Sequence, residues 1–145
     1  MKKMLLYTSF AIFFLFLGMW FSSKQNNNVL DSNIQGVNTL AEHLTPNQFN
    51  QALNSGKFKL IDIRTIQEYS EGHIKNAEQI DYYQAQKFSS YLDSLDKNAN
   101  YLIYCRTGHR SANALQIMHS KGFTNVSDIS GGYTAWISAG YSYEK

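Results

Sequence analysis

Tyr101, Leu102, Ile103 and Tyr104 follow one another without a polar residue, and a strand with no polar face has to be covered on both sides. The chain changes character at Cys105, where a polar, glycine-containing loop leads into a segment from Ser111 to Lys121 with helical spacing (Ala112, Leu115, Met118) that Gly122 ends. Similar units lie on either side. Thr45, Pro46, Asn47 and Gln48 predict a helix start: Thr45 as N-cap, Pro46 at the first helical position and Gln48 closing a capping box, with Gly56 as the stop. A β-rich run from Phe58 to Ile63, a polar helix from Thr65 to Ser70 and a helix from Gln84 to Leu95 come next. Asn125 to Ile129 predicts another short strand, and Gly131 and Gly132 lead into a last helix holding Tyr133, Trp136 and Ile137. Strands alternating with helices at this spacing predict an α/β fold, a parallel sheet with helices on both faces. In such sheets ligands sit at the carboxyl ends of strands, which is where Cys105 falls.

The first residues obey different rules. Lys2 and Lys3 precede an uncharged run of eighteen residues, Met4 to Phe21, which as a helix spans about 27 Å and nearly matches a bilayer core. The run exceeds the roughly 7 to 15 residues of a signal-peptide core, and its exit, Gly18 to Ser23, lacks a small-x-small cleavage site. Residues 1–21 therefore read as an uncleaved transmembrane anchor, with a cleaved signal peptide as the alternative. Two lysines ahead of the run against Lys24 alone behind it place the N-terminus in the cytoplasm and the rest of the chain outside it, in a periplasm or at a cell surface. Residues 22–36, rich in Asn and Ser, form a polar linker with too little apolar surface to fold, and residues 37–145 form one domain.

Charge and cysteine content narrow the chemistry. From Val37 onward ten Lys and Arg stand against ten Asp and Glu, and the absence of a basic stripe argues against a nucleic-acid partner. A single cysteine excludes an intrachain disulfide framework and a multi-cysteine zinc site, and no pattern calls for a metal or a cofactor. That thiol is either inert packing or the chemistry itself. Its neighbours decide. In Cys105, Arg106, Thr107, Gly108, His109, Arg110 and Ser111 a strand-to-helix turn aims successive amide N–H groups inward, and the helix N-terminus adds positive charge, which together make an anion cradle around a nucleophilic sulfur. Two of only three arginines lie within five residues of the only cysteine. Arg110 is placed to hold an anionic group through its planar fork, Gly108 allows a backbone shape that a side chain would obstruct, and Arg106 either joins Arg110 or points to water.

The loop, together with Asp62, Ile63, Arg64, Glu68 and Tyr69, then Glu71, Gly72, His73, Ile74 and Ala77, and finally Gly131, Gly132, Tyr133 and Trp136, resembles the rhodanese homology domain over Val37 to Lys145. The resemblance implies a sulfurtransferase in which Cys105 takes sulfane sulfur from a small sulfur-containing anion such as thiosulfate, becomes a persulfide, and passes the sulfur to a thiol, a protein thiol included, or to cyanide. It implies that the amides of residues 106–110 stabilise the thiolate and the persulfide and that Arg106, Thr107, Gly108, His109 and Arg110 bind the substrate, with Ser111, Asp62 and Arg64 in support. Asp62, Arg64 and Glu68 read as a structural ion-pair and capping set, His73 as a loop hydrogen-bonder, and His43 and His119 as surface residues. Two rivals remain: a non-catalytic binding module on the same fold, and a cysteine phosphatase or arsenate reductase. The latter is disfavoured because only four residues separate Cys105 from Arg110, a tight ring for a tetrahedral anion. For the topology, the full chain fused at its C-terminus to a reporter enzyme active only outside the cytoplasm is expected to give activity; a cytoplasm-only reporter that works at the same position overturns the orientation.

Overall fold

The computed structural model describes residues 43–145; the expected anchor, the expected linker and residues 37–42 of the expected domain lie outside that range. Among the described residues no helix is long and apolar enough to cross a membrane. The elements in order are β1 (His43–Leu44), α1 (Pro46–Asn54), β2 (Lys59–Asp62), α2 (Ile66–Glu71), β3 (Glu78–Gln79), α3 (Ala85–Ser94), β4 (Asn100–Tyr104), α4 (His109–Ser120), β5 (Asn125–Ile129) and α5 (Gly132–Ser138). The strands make one sheet in the order β1-β5-β4-β2-β3, and every pairing is parallel. The α/β architecture expected from the alternation is the one found.

Local chemistry explains the helix starts. Thr45 is extended, its hydroxyl accepts the Gln48 N–H at 3.3 Å, and Gln48 Oε1 accepts the Thr45 N–H at 3.0 Å, with Pro46 where no amide is needed. Thr65 and Glu68 repeat the device at α2, which begins one residue later than Thr65 because Thr65 is its N-cap. Two strands escape the sequence pattern. With two residues each, β1 and β3 are too short to show alternation, and they form because longer partners offer them ladder positions. Helix α4 starts at His109, two residues before the expected Ser111, since Gly108 rather than a polar side chain serves as its N-cap.

The apolar strand β4 divides the core. Tyr101 and Ile103, continued by Cys105, pack with Phe88, Leu92, Leu115 and Met118 of α3 and α4 on one face. Leu102 and Tyr104 pack with Leu44, Phe49 and Trp136 on the other, where Trp136 meets Phe49 edge-on at 6.0 Å.

Beyond β4 the backbone is steered by α5. The Tyr133 N–H donates to Cys105 O at 2.8 Å, and the Thr134 N–H and hydroxyl both donate to Arg106 O at 3.0 Å. This contact needs Gly132: its φ is 62°, and a Cβ there would lie 2.6 Å from Cys105 O and 2.7 Å from the Arg106 carbonyl. Gly132→Ala is expected to destabilise the domain by about 3 kcal/mol, seen as a fall of more than about 10 °C in Tm. Gly56→Ala serves as the comparison: its φ is 68° but no atom stands within 4 Å, so it should cost only about 1 kcal/mol.

Candidate active site

Strand β4 delivers Cys105 to the carboxyl edge of the sheet with its side chain on the α3 and α4 face, buried to 1% exposure. The Gly108 N–H donates to Cys105 Sγ at 3.1 Å, closing the loop back onto the sulfur. Gly108 has φ 94° and ψ −19°, and a Cβ there would meet the backbone N of Gly131 at 3.3 Å, so the left-handed shape and the close packing both favour glycine. The carbonyls of Cys105 and Arg106 are turned out to α5, and the Gly108 N–H is the loop amide hydrogen-bonded to the sulfur.

Arg110 does not wait with an open fork. Its Nη1 donates to Glu68 Oε2 at 2.9 Å and its Nη2 to Glu68 Oε1 at 2.7 Å, a bidentate pair in which both side chains are largely shielded from water. That hydrogen bonding holds the Glu68 carboxyl at about 2, and it raises Arg110 above its ordinary value. The guanidinium also lies over the Tyr83 ring at 5.2 Å. Glu68 thus belongs both to the cap of α2 and to the loop, a double role the sequence conceals because its second partner is 42 residues away.

Arg106, Thr107 and His109 stand exposed on the loop. Arg106 lines two clefts. One, of about 360 Å³, is shared with Glu68, Tyr83, Thr107, His109 and Arg110. The other, of about 390 Å³, is walled by Arg64, Gly72, Tyr133 and Tyr143 among others.

Asp62 and Arg64 form a buried pair under this second cleft: Arg64 Nε reaches both carboxylate oxygens at 2.9 Å, and Nη2 donates to Gly72 O at 2.8 Å. The guanidinium sits 4.1 Å from the Tyr133 ring centre and 5.4 Å from that of Tyr104. Asp62 and Arg64 form an ion pair and Glu68 caps α2, as the sequence reading has them, and the Glu68 carboxylate also pairs with Arg110. The backbone of His73 exchanges N–H···O contacts of 2.8 Å with Glu144, and its ring Nδ1 lies 3.3 Å from Tyr69 O of α2.

Ser111, at the third position of α4, is fully buried. Its hydroxyl lies 2.5 Å from Asp128 Oδ2 and 3.0 Å from Gly108 O. Asp128 Oδ1 meets His43 Nδ1 at 2.7 Å, so His43 is exposed yet engaged. Nothing in the local pattern of β5 singled out Asp128; a strand acid whose neighbours are apolar or small was the only available signal. Among the described residues no group of three or more His, Cys, Asp and Glu is gathered as a metal site.

Comparison with known proteins places these features in a family. A rhodanese-like domain model matches residues 45–139. Rhodanese-like domain-containing protein 17 of Arabidopsis thaliana is 33% identical over 102 residues, a match covering 63% of this chain and 65%, just under two thirds, of that relative. Thiosulfate sulfurtransferase GlpE of Shewanella oneidensis is 28% identical over 95 residues, covering 66% of this chain and 91% of the relative. The crystal structure of a rhodanese-like domain protein from Staphylococcus aureus superposes with a TM-score of 0.58 at 29% identity, covering 66% of this chain and 91% of that one. With the matched span holding the cysteine loop, the helix α5 that takes its carbonyls and the Glu68–Arg110 pair that ties it to α2, the chain belongs to the rhodanese-like domain family.

Proposed function

We propose that this domain is a sulfurtransferase that carries sulfane sulfur as a persulfide on Cys105. The observation that carries the reading is the closed loop: a buried sulfur at the end of β4 receives the Gly108 amide at 3.1 Å, while the carbonyls of the first two loop residues are held away by α5. Donors fixed around one sulfur suit a group that is negatively charged before and after each step.

The steps balance without an oxidant. The Cys105 thiolate attacks the outer sulfur of a donor such as thiosulfate; the new S–S bond forms as the old one breaks, and sulfite leaves with the electron pair. An acceptor thiolate or cyanide then attacks the outer sulfur of the persulfide, takes it, and returns Cys105 to the thiolate.

Arg110, which the sequence puts forward to grip the donor anion, acts in this reading as a brace for the loop, because Glu68 occupies both arms of its fork. Recognition of the donor falls to the loop amides and to exposed Arg106, which faces both clefts. Asp62 and Arg64 support the wall beneath.

Two measurements follow. Intact mass of the domain after thiosulfate treatment and removal of excess should show one added sulfur, absent from Cys105→Ala and removed by cyanide with release of thiocyanate. Arg106→Ala should need about tenfold more thiosulfate for the same extent. No added sulfur from thiosulfate or from a persulfide donor overturns the reading in favour of a binding module or a phosphatase.

The second concerns the brace. Glu68 is depressed from 4.5 to about 2 by Arg110, so its contribution to stability is complete above about pH 4.5 and is lost as pH falls through about 2. Partial exposure reduces that contribution to about 1 kcal/mol. Glu68→Gln should lower stability by this amount at pH 7, and the gap from the parent should close below pH 3 in denaturant titrations; a gap unchanged by pH would show that the pair does not support the fold.

A further inference from the structure

Asp128 is buried to 1% exposure, and the hydrogen bonds beside it have other acceptors within reach. Gly108 O already accepts the Ala112 N–H at 3.0 Å, so it has no need of the Ser111 proton. The Ser111 hydroxyl, in turn, has Gly108 O within 3.0 Å as an alternative acceptor. A polar side chain taken from water at the cost of its hydration, with no orphan group to rescue, points to a role in fixing geometry.

Its position supplies that role. Asp128 lies in register with His43 on one side and with Ile103 on the other, a row across three strands two residues before Cys105. A carboxylate only accepts, so the two hydrogens come from His43 Nδ1 and from Ser111 Oγ, at 2.7 and 2.5 Å. The first bond ties the edge strand β1 to β5; the second ties the first turn of α4 to the same carboxylate. Gly108, whose N–H holds the sulfur, is the N-cap of that turn.

We propose that Asp128 is a positioning residue for Cys105: through Ser111 it clamps the first turn of α4 to β5 and so fixes the Gly108 amide against the sulfur. This rests on the sulfur-transfer reading, and it concerns the rate of transfer and not the binding of the donor. Loss of the clamp lets the amide drift from the geometry in which it meets the developing charge, an effect that small displacements make large.

The test compares D128L, D128N, S111A and D128L/S111A in thiosulfate-to-cyanide turnover. D128L should lower kcat about tenfold with KM for thiosulfate changed by less than about twofold. D128N, whose amide still bonds the Ser111 hydroxyl, should keep most of the parent's kcat, and the double variant should be no slower than the slower single one, as for residues acting through one contact. Parent-like kcat in D128L, a loss confined to KM, a D128N as slow as D128L, or fully additive losses would each overturn the proposal. A merely structural role would lower Tm without this pattern, and should D128L fail to fold, S111A against D128N makes the same comparison. Iodoacetamide alkylation of Cys105, which needs no sulfur donor, should rank the variants in the same order. A parent that alkylates but forms no persulfide therefore sinks the sulfur-transfer reading alone, whereas equal alkylation across the variants sinks the clamp.

Discussion

A chain leaving a buried parallel strand must find partners for its carbonyl groups before it can turn, and here α5 provides them. The amides of Tyr133 and Thr134 take the carbonyls of Cys105 and Arg106, and from the same loop the Gly108 N–H reaches the sulfur. The arrangement requires two backbones to approach more closely than any side chain permits, hence Gly132 in α5 and Gly108 in the loop, each with a left-handed φ. Both cores depend on this junction, because Cys105 closes the α3 and α4 side while Trp136 of α5 closes the other. Loop and core are thus one packing problem, and a site of this kind is held by structure more than by its own side chains.

The three arginines show how sparingly the domain places charge. Arg64 is buried against Asp62, a pairing whose desolvation is offset only because the guanidinium also reaches Gly72 O and lies against two tyrosine rings. Removing either partner would strand a buried charge, so the pair specifies the shape of the wall more than it adds to net stability. Arg110 is shielded less, and its bidentate bond to Glu68 links the capping box of α2 to the cysteine loop. Arg106 alone among them stands exposed at the mouth. Which cation stands exposed is therefore a matter of which carboxylates lie behind the loop, not of proximity to the cysteine in sequence.

That distinction marks how far the sequence could be read. The capping boxes at Thr45 and Thr65 are local signals, each fulfilled by atoms within a few residues, and they appear where expected, as do the apolar strand ending at Cys105 and the glycines that open α5. The two-residue strands β1 and β3 carry no periodicity of their own and exist through their neighbours. Glu68 and Arg110 were both noticed, but a salt bridge across 42 residues is fixed by tertiary packing that no spacing reveals. His43 reads as a surface residue by type and is one by exposure, yet its ring is committed to a carboxylate 85 residues away.

The row of exposed His43 with buried Asp128 and Ser111 is the limiting case of that blindness. Each residue has an ordinary local explanation: an edge-strand histidine, a strand acid, a serine in the first turn of a helix. Only the parallel register brings the first two together, and only the packing of α4 on β5 brings the third. A carboxylate buried without an orphan donor to satisfy is costly wherever it occurs, and the cost is borne at the one turn that ends on the amide facing the sulfur. Polar groups held at a loss in an otherwise apolar layer mark places where the fold trades stability for geometry, and here that place lies beside Ile103, two residues before Cys105.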